Sequence, residues 1–230
     1  MPKIYLSPSM RRQNKCVCGD NELLHSREYA GYMARFLEES GADVRINSGS
    51  SCFGVRESNI WKADIYYSVR TSASGAKSGS VLYIGKNKNL SEAYRCAALI
   101  KKRRKDIYNG YVGINVVKRF YETVEANSLC ICDEIINHNN MKDATFFHKN
   151  IKEMAQHTAH GLLDYFDYIE SHIKNDDHEK PVYKPLESSE ESFKTCLNIC
   201  RNCKQYYKDD CICECCADEY SNGIALNAPS

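Results

Sequence analysis

The run Ala63-Asp-Ile-Tyr-Tyr-Ser-Val69 constrains the fold more than any other segment. It is apolar or aromatic at consecutive positions rather than at alternate ones. A strand with one wet face alternates, whereas a near-continuous run is buried on both faces and sits centrally in a covered sheet. Further strands are predicted at Lys3–Leu6 ("KIYL", stopped by Ser7-Pro8-Ser9), Asp43–Ile46 ("DVRI"), Ser80–Gly85 ("SVLYIG") and Leu129–Cys132 ("LCIC"). The covering layers come from segments with helical spacing. One runs from about Glu22 to Ser40, with Asp20 or Asn21 as its cap and Gly41 as its end. Its stripe is Leu23, Ala30, Ala34 and Leu37. A short helix is expected in "VRESNIWK", another from Ser91 to Lys105, and a long one from Asp143 to about Ile173. Strands that alternate with helices give an α/β fold with a mixed, mostly parallel sheet flanked by helices.

The pattern stops near residue 175, so 1–174 reads as one α/β domain. Residues 175–193 ("NDDHEKPVYKPLESSEESF" in part) are charged and carry Pro and Ser, as a linker does. Residues 194–230 form a small Cys-rich appendage. Seven of the chain's 13 cysteines lie between Cys196 and Cys216. Such a short tail needs a staple to be ordered. Cys200-x-x-Cys203 and Cys213-x-x-Cys216 have the form of a four-thiolate zinc site. Disulfides within the tail or between chains are the competing reading, and would give a disulfide-linked oligomer. Free thiols are the third.

A formal net charge of +1 gives no electrostatic footprint for nucleic acid. The basic run Lys101–Lys105 falls at a helix end, where cations suit the dipole. Apolar stretches are too short to span a membrane, and "MPKIYLSPS" has no long apolar core of a signal peptide. The expectation is synthesis in the cytoplasm, with action at a cell wall or spore surface only after lysis or release.

Several segments, taken in order, resemble the zinc-dependent N-acetylmuramoyl-L-alanine amidases, in particular the clostridial and phage-endolysin type. They are "KIYLSPS", Asn21-Glu22, the helix ending at Gly41, "RESNIWKADIYYSVRTSA" and "FYETVEANSLCICDEIINHNN". The resemblance spans roughly residues 3 to 173. It implies a peptidoglycan amide hydrolase whose zinc is held by two histidines and a glutamate, with a second glutamate moving protons. Carried over, the ligand glutamate is Glu22 and the proton-transfer glutamate is Glu134. Amide hydrolysis at neutral pH uses such a metal to activate water and steady the oxyanion.

Both histidines are missing. The family's Ser-x-His-x-Asn-Ala pattern after the central strand here reads Ser68-Val69-Arg70-Thr71-Ser72-Ala73, so Arg70 replaces a ligand. Between Met10 and Asn21 there is no histidine at all. Arginine has no lone pair for a metal and is not deprotonated in proteins. An ion pair of Arg70 with Glu22 or Glu134 is therefore expected in place of the metal. A rebuilt site could draw on Cys16 or Cys18, Glu22, and His25 or His138. His148, His157, His160 and His172 read as surface histidines, and the tyrosines as packing. The functional reading is a degenerate cell-wall amidase homologue, leaning inactive, that binds peptidoglycan or a wall or spore protein. An active amidase with a rebuilt zinc site and a Cys-cross-linked, spore-coat-like structural protein are the alternatives. Zinc is expected in the tail sooner than in the cleft.

Overall fold

The computed structural model describes residues 1–73, 78–86, 89–118 and 120–173, and the backbone of two short strands at 197–199 and 206–208. The linker 175–193 and the tail cysteines Cys200, Cys203, Cys213 and Cys216 lie outside the described residues.

Six strands form one sheet: β1 (Lys3–Pro8), β2 (Asp43–Ile46), β3 (Ile65–Ser72), β4 (Ser80–Gly85), β5 (Val112–Val117) and β6 (Leu129–Asn137). Their order is β2-β1-β3-β6-β4-β5. All neighbours are parallel except the β4–β6 pair, which is antiparallel. The apolar run that predicted a central strand is β3, between β1 and β6, and Ile65, Tyr66 and Tyr67 have no exposed surface. The tail strands β7 (Leu197–Ile199) and β8 (Tyr206–Lys208) pair antiparallel with each other.

The helices are α1 (Glu22–Glu39), α2 (Ser51–Trp61), α3 (Leu90–Lys105), α4 (Tyr121–Glu125) and α5 (Met141–Ile173). Alternate side chains of the strands face opposite layers. Ile4, Leu6, Ile65, Tyr67, Ile131 and Leu82 pack in the large core with the apolar faces of α1, α3 and α5. Tyr5, Tyr66, Cys130 and Cys132 pack in a smaller core with Val55 of α2 and with Trp61, Phe120 and Tyr121. Asn21 caps α1 by accepting from Leu24 N–H, and Gly41 follows its end at φ 86°, a conformation that favours glycine. α5 breaks helical geometry at Asn150, whose side-chain amide donates to the Phe146 carbonyl at 2.8 Å. No described helix is long and apolar enough to cross a membrane.

Several boundaries differ from the sequence pattern. β1 continues through Ser7 and Pro8, since a strand end tolerates a residue without an N–H. α2 starts at Ser51, capped by Ser50 Oγ. β3 runs three residues past Val69, and β6 five past Cys132, so Arg70 and Glu134 are strand residues rather than loop residues. β5 and α4 are additions. The segment Val112–Val117 is half exposed at the sheet edge, and α4 has only five residues. Neither carries enough apolar periodicity to stand out in sequence.

Candidate functional site

The carboxyl ends of parallel β1, β3 and β6 lie side by side, and the loop after β1 folds over the start of α1 at the same edge. Arg11 and Asn14 carbonyls accept from Leu23 and Glu22 N–H. The loop is then stitched to the end of β6 by Val17 N–H, which donates to the His138 carbonyl at 3.1 Å. Glu22, Arg70, Glu134 and His138 all belong to this edge.

Glu22 is fully buried. One carboxylate oxygen accepts from the Asn14 side-chain amide at 2.6 Å, and the other faces the Thr71 backbone N–H at 3.5 Å. Asn14 therefore stands on Glu22 from within the loop in which the resemblance requires a histidine.

Arg70 and Glu134 are register partners across the β3–β6 pair. By the two-residue period they share a face with Tyr66, Ser68, Cys130 and Cys132, the face that α2 and α4 cover. Arg70 Nε donates to Ser68 Oγ at 3.2 Å. Its guanidinium forms an ion pair with Glu122, a buried residue in the first turn of α4. Arg70 thus has an ion pair with Glu122, a carboxylate the sequence did not single out, and its charge also acts on Glu134. α4, which was not expected from the sequence, brings this third carboxylate down onto the face.

Glu134 accepts from Tyr83 Oη at 3.1 Å. Burial pushes its pKa up, against the lowering effects of Tyr83 and Arg70, and the Glu22 charge adds to the rise. Tyr83 is itself pushed up to about 12 by burial and by Glu134. His138 is buried, with Nδ1 hydrogen-bonded to Thr71 Oγ1 at 2.6 Å and Nε2 without a partner among the described residues. Burial lowers its pKa, and the Glu22 charge opposes that. Behind β3, a bulge between Arg70 and Ser72 turns Thr71 toward both Glu22 and His138.

The family's zinc does not fit these residues. Of the ligand set that the resemblance implies, only the glutamate, Glu22, has a counterpart in the sequence, and Asn14 donates to that carboxylate. The second ligand position holds a guanidinium tied to Glu122. Among the described residues one group of three converges as a metal site would: Cys16, His25 and His148, whose ligand atoms lie within 4.8 Å of one another. Cys16 and His25 were candidates by sequence. Glu22 and His138 are not in the group, and neither is exposed Cys18. His148 had read as a surface histidine. It is exposed, and nothing in its spacing along α5 signals a meeting with Cys16, far earlier in the chain. Glu122 was visible only as part of "FYETVE".

No family profile and no curated protein matches the chain. Solved structures do. The N-acetylmuramoyl-L-alanine amidase AmiC2 of Nostoc punctiforme is 14% identical, with a TM-score of 0.64 over 72% of this chain and 97% of that one. The amidase Ami1 of Mycobacterium smegmatis is 12% identical, with a TM-score of 0.65 over 73% and 97%. The CwlD amidase of Clostridioides difficile, solved in complex with the GerS lipoprotein, is 14% identical, with a TM-score of 0.61 over 73% and 100%. The central parallel strands, the antiparallel β4 and the flanking helices are together the fold of the N-acetylmuramoyl-L-alanine amidases.

Proposed function

We propose that this amidase-fold protein engages peptidoglycan, or a wall-associated protein, through the β1–β3–β6 edge without hydrolysing the muramoyl–alanine amide. The observation that carries the reading is the Arg70–Glu122 ion pair at a position where the fold's enzymes would place a metal ligand. Hydrolysis needs a water made nucleophilic at neutral pH and a cation on the developing oxyanion. A guanidinium supplies positive charge but cannot bind water as a metal does, and it cannot act as a base.

What remains suits binding. A guanidinium is a good partner for the carboxylates of a stem peptide. Glu134, with its pKa raised by burial, holds its proton to higher pH than an exposed glutamate and can offer it to an amide carbonyl. Tyr83 supplies a neighbouring hydroxyl.

Purified sacculi provide the test. The protein should co-sediment with them and release no new α-amino groups, with or without added Zn²⁺. Release of stem peptides with free L-alanine amines would overturn the reading. Such release only with added Zn²⁺ would instead establish an active amidase with a rebuilt centre, the second reading, which the Cys16–His25–His148 group favours. Failure to sediment would move the site toward a protein partner.

A further inference from the structure

Three segments far apart in sequence deliver Cys16, His25 and His148 to one place. Cys16 sits in a tight turn of the loop after β1, where Gly19 N–H donates to the Cys16 carbonyl at 3.0 Å and Cys16 N–H donates to the Asp20 carbonyl at 2.7 Å. Gly19 closes that turn at φ 103°. His25 projects from the first turn of α1, and His148 from α5. The two imidazoles meet edge to face, with centroids 4.8 Å apart.

His25 is the informative member. It is 2% exposed, and among the described residues neither ring nitrogen has a hydrogen-bond partner. A buried polar ring left so is costly, and such groups call for an explanation. Asp20 is the nearby carboxylate, 3.7 Å from His25 Nε2 and half exposed. Burial and the neighbouring His148 lower the His25 pKa, against the effect of Asp20. Cys16 is also buried, and its sulfur faces the His138 carbonyl at 3.4 Å while accepting weakly from Cys18 N–H at 3.5 Å. Burial pushes the Cys16 thiol up, so as a free group it keeps its proton.

We propose that Cys16, His25 and His148 form a binding site for a transition-metal ion of the Zn²⁺ class, completed by Asp20 or by water. One thiolate with two neutral imidazoles is a donor set for borderline-soft divalent ions. On binding, the Cys16 S–H bond is exchanged for a sulfur–metal bond, and the proton leaves to solvent. With Asp20 as fourth ligand, a thiolate and a carboxylate balance a divalent charge beside the buried Cys16 and His25. The Cys18 N–H already aimed at Cys16 Sγ would then steady the thiolate. Metal–nitrogen bonds of about 2.1 Å and metal–sulfur bonds of about 2.3 Å put tetrahedral ligand atoms roughly 3.5 Å apart. The group must therefore tighten by about 1 Å from its present spread, and exposed His148 can supply that by side-chain rotation. The metal would pin the loop after β1 to both α1 and α5. It uses none of Glu22, Arg70 or Glu134, and so goes beyond the function proposed above.

Cobalt(II) titration of the full-length chain tests it. The seven tail cysteines (Cys196, Cys200, Cys203, Cys211, Cys213, Cys215 and Cys216) are replaced by serine, so that the tail gives no signal. One equivalent of Co²⁺ should bind with a thiolate-to-cobalt charge-transfer band and be displaced by Zn²⁺. Cys16→Ser should abolish that band. His148→Ala, at an exposed position, should leave the far-ultraviolet circular dichroism unchanged and weaken Co²⁺ binding by roughly tenfold or more. Absence of the band in the parent, or equal Co²⁺ affinity in the parent, Cys16→Ser and His148→Ala proteins, would overturn the site. Neither readout involves peptidoglycan, so it fails or stands apart from the binding function.

Discussion

Asp133 and Glu134 are neighbours on β6 that face opposite layers of the molecule, and each has an arginine within its electrostatic reach. On the three-helix side, Asp133 and Arg104 are both fully buried. Arg104 donates to Asp133 Oδ1 at 2.8 Å and Oδ2 at 2.6 Å, and to Thr158 Oγ1 at 2.9 Å. Tyr67 Oη adds a bond to Asp133 at 2.6 Å. Burial acts against the Arg104 charge, but Asp133 and Tyr29 outweigh it and its pKa rises. On the two-helix side, Arg70 keeps 19% of its side chain exposed and pairs with Glu122, while Glu134 accepts from Tyr83. A closed layer tolerates a charge pair only when nearly every donor and acceptor is engaged. The open strand ends tolerate a looser arrangement, with a carboxyl whose protonation is still adjustable. The same two residue types thus make a closed structural knot on one face and an open, partly exposed edge on the other.

The largest effect should come from breaking the knot. Arg104→Met leaves Asp133 buried without its counter-ion, and a loss of about 3–5 kcal/mol is expected in urea unfolding. Adding Asp133→Leu should recover much of it, because the uncompensated charge goes too. A loss below about 1 kcal/mol for the single variant would mean that the network does not hold the layer together. On the other face, Glu122→Gln should cost less, roughly 1–2 kcal/mol, since Arg70 can turn to water. Equal losses in the two variants would erase the distinction between knot and edge.

The sheet was legible because β1, β3, β4 and β6 are runs of large apolar residues, and the α1 stripe repeats at helical spacing. What escaped was set by contacts between distant segments. "KKRRK" reads as a solvated cationic helix end, yet Arg104 within it is buried and Arg103 holds Asp164 at 2.6 Å. A single inward-facing member of a basic run leaves no mark on composition. Glu22 and Glu134 were singled out through a resemblance, and the structure puts one at the start of α1 and the other on β6. The Arg70–Glu122 pair was not, because α4 owes its position to the side chains of β4, β6 and α2 beneath it. The convergence of His148 on Cys16 is invisible in spacing for the same reason.

A smaller effect should separate the two faces by pH. Burial raises the Glu134 pKa above its usual 4.5 in the folded chain. The native state therefore holds that proton more tightly than the unfolded state. Its contribution is fully present below pH 4.5 and is lost as pH rises through the raised folded value. Urea unfolding across that interval should show Glu134→Gln losing stability less steeply with rising pH than the parent. The difference should be smaller than either loss above. Parallel slopes would mean that Glu134 does not titrate differently on folding.

The smallest expected effect is none. Arg70→His returns an imidazole to the end of β3, where the fold's enzymes would use one, and a metal-based view of this edge predicts some recovery of amide hydrolysis. Three features oppose it. No histidine lies between Met10 and Asn21 to serve as the second imidazole. Asn14 stays bonded to Glu22, so the carboxylate that the resemblance implies as a ligand is still engaged. Loss of the guanidinium also strands buried Glu122 on the same face, and the new imidazole meets that carboxylate first. Arg70→His with added Zn²⁺ should therefore release no free L-alanine amines from sacculi, and its sedimentation with them should weaken if the guanidinium holds a stem-peptide carboxylate. Arg70→His combined with Asn14→His addresses both missing imidazoles and frees Glu22. Hydrolysis by the double variant but not by either single one would show that the edge differs from an amidase centre by those side chains rather than by its backbone.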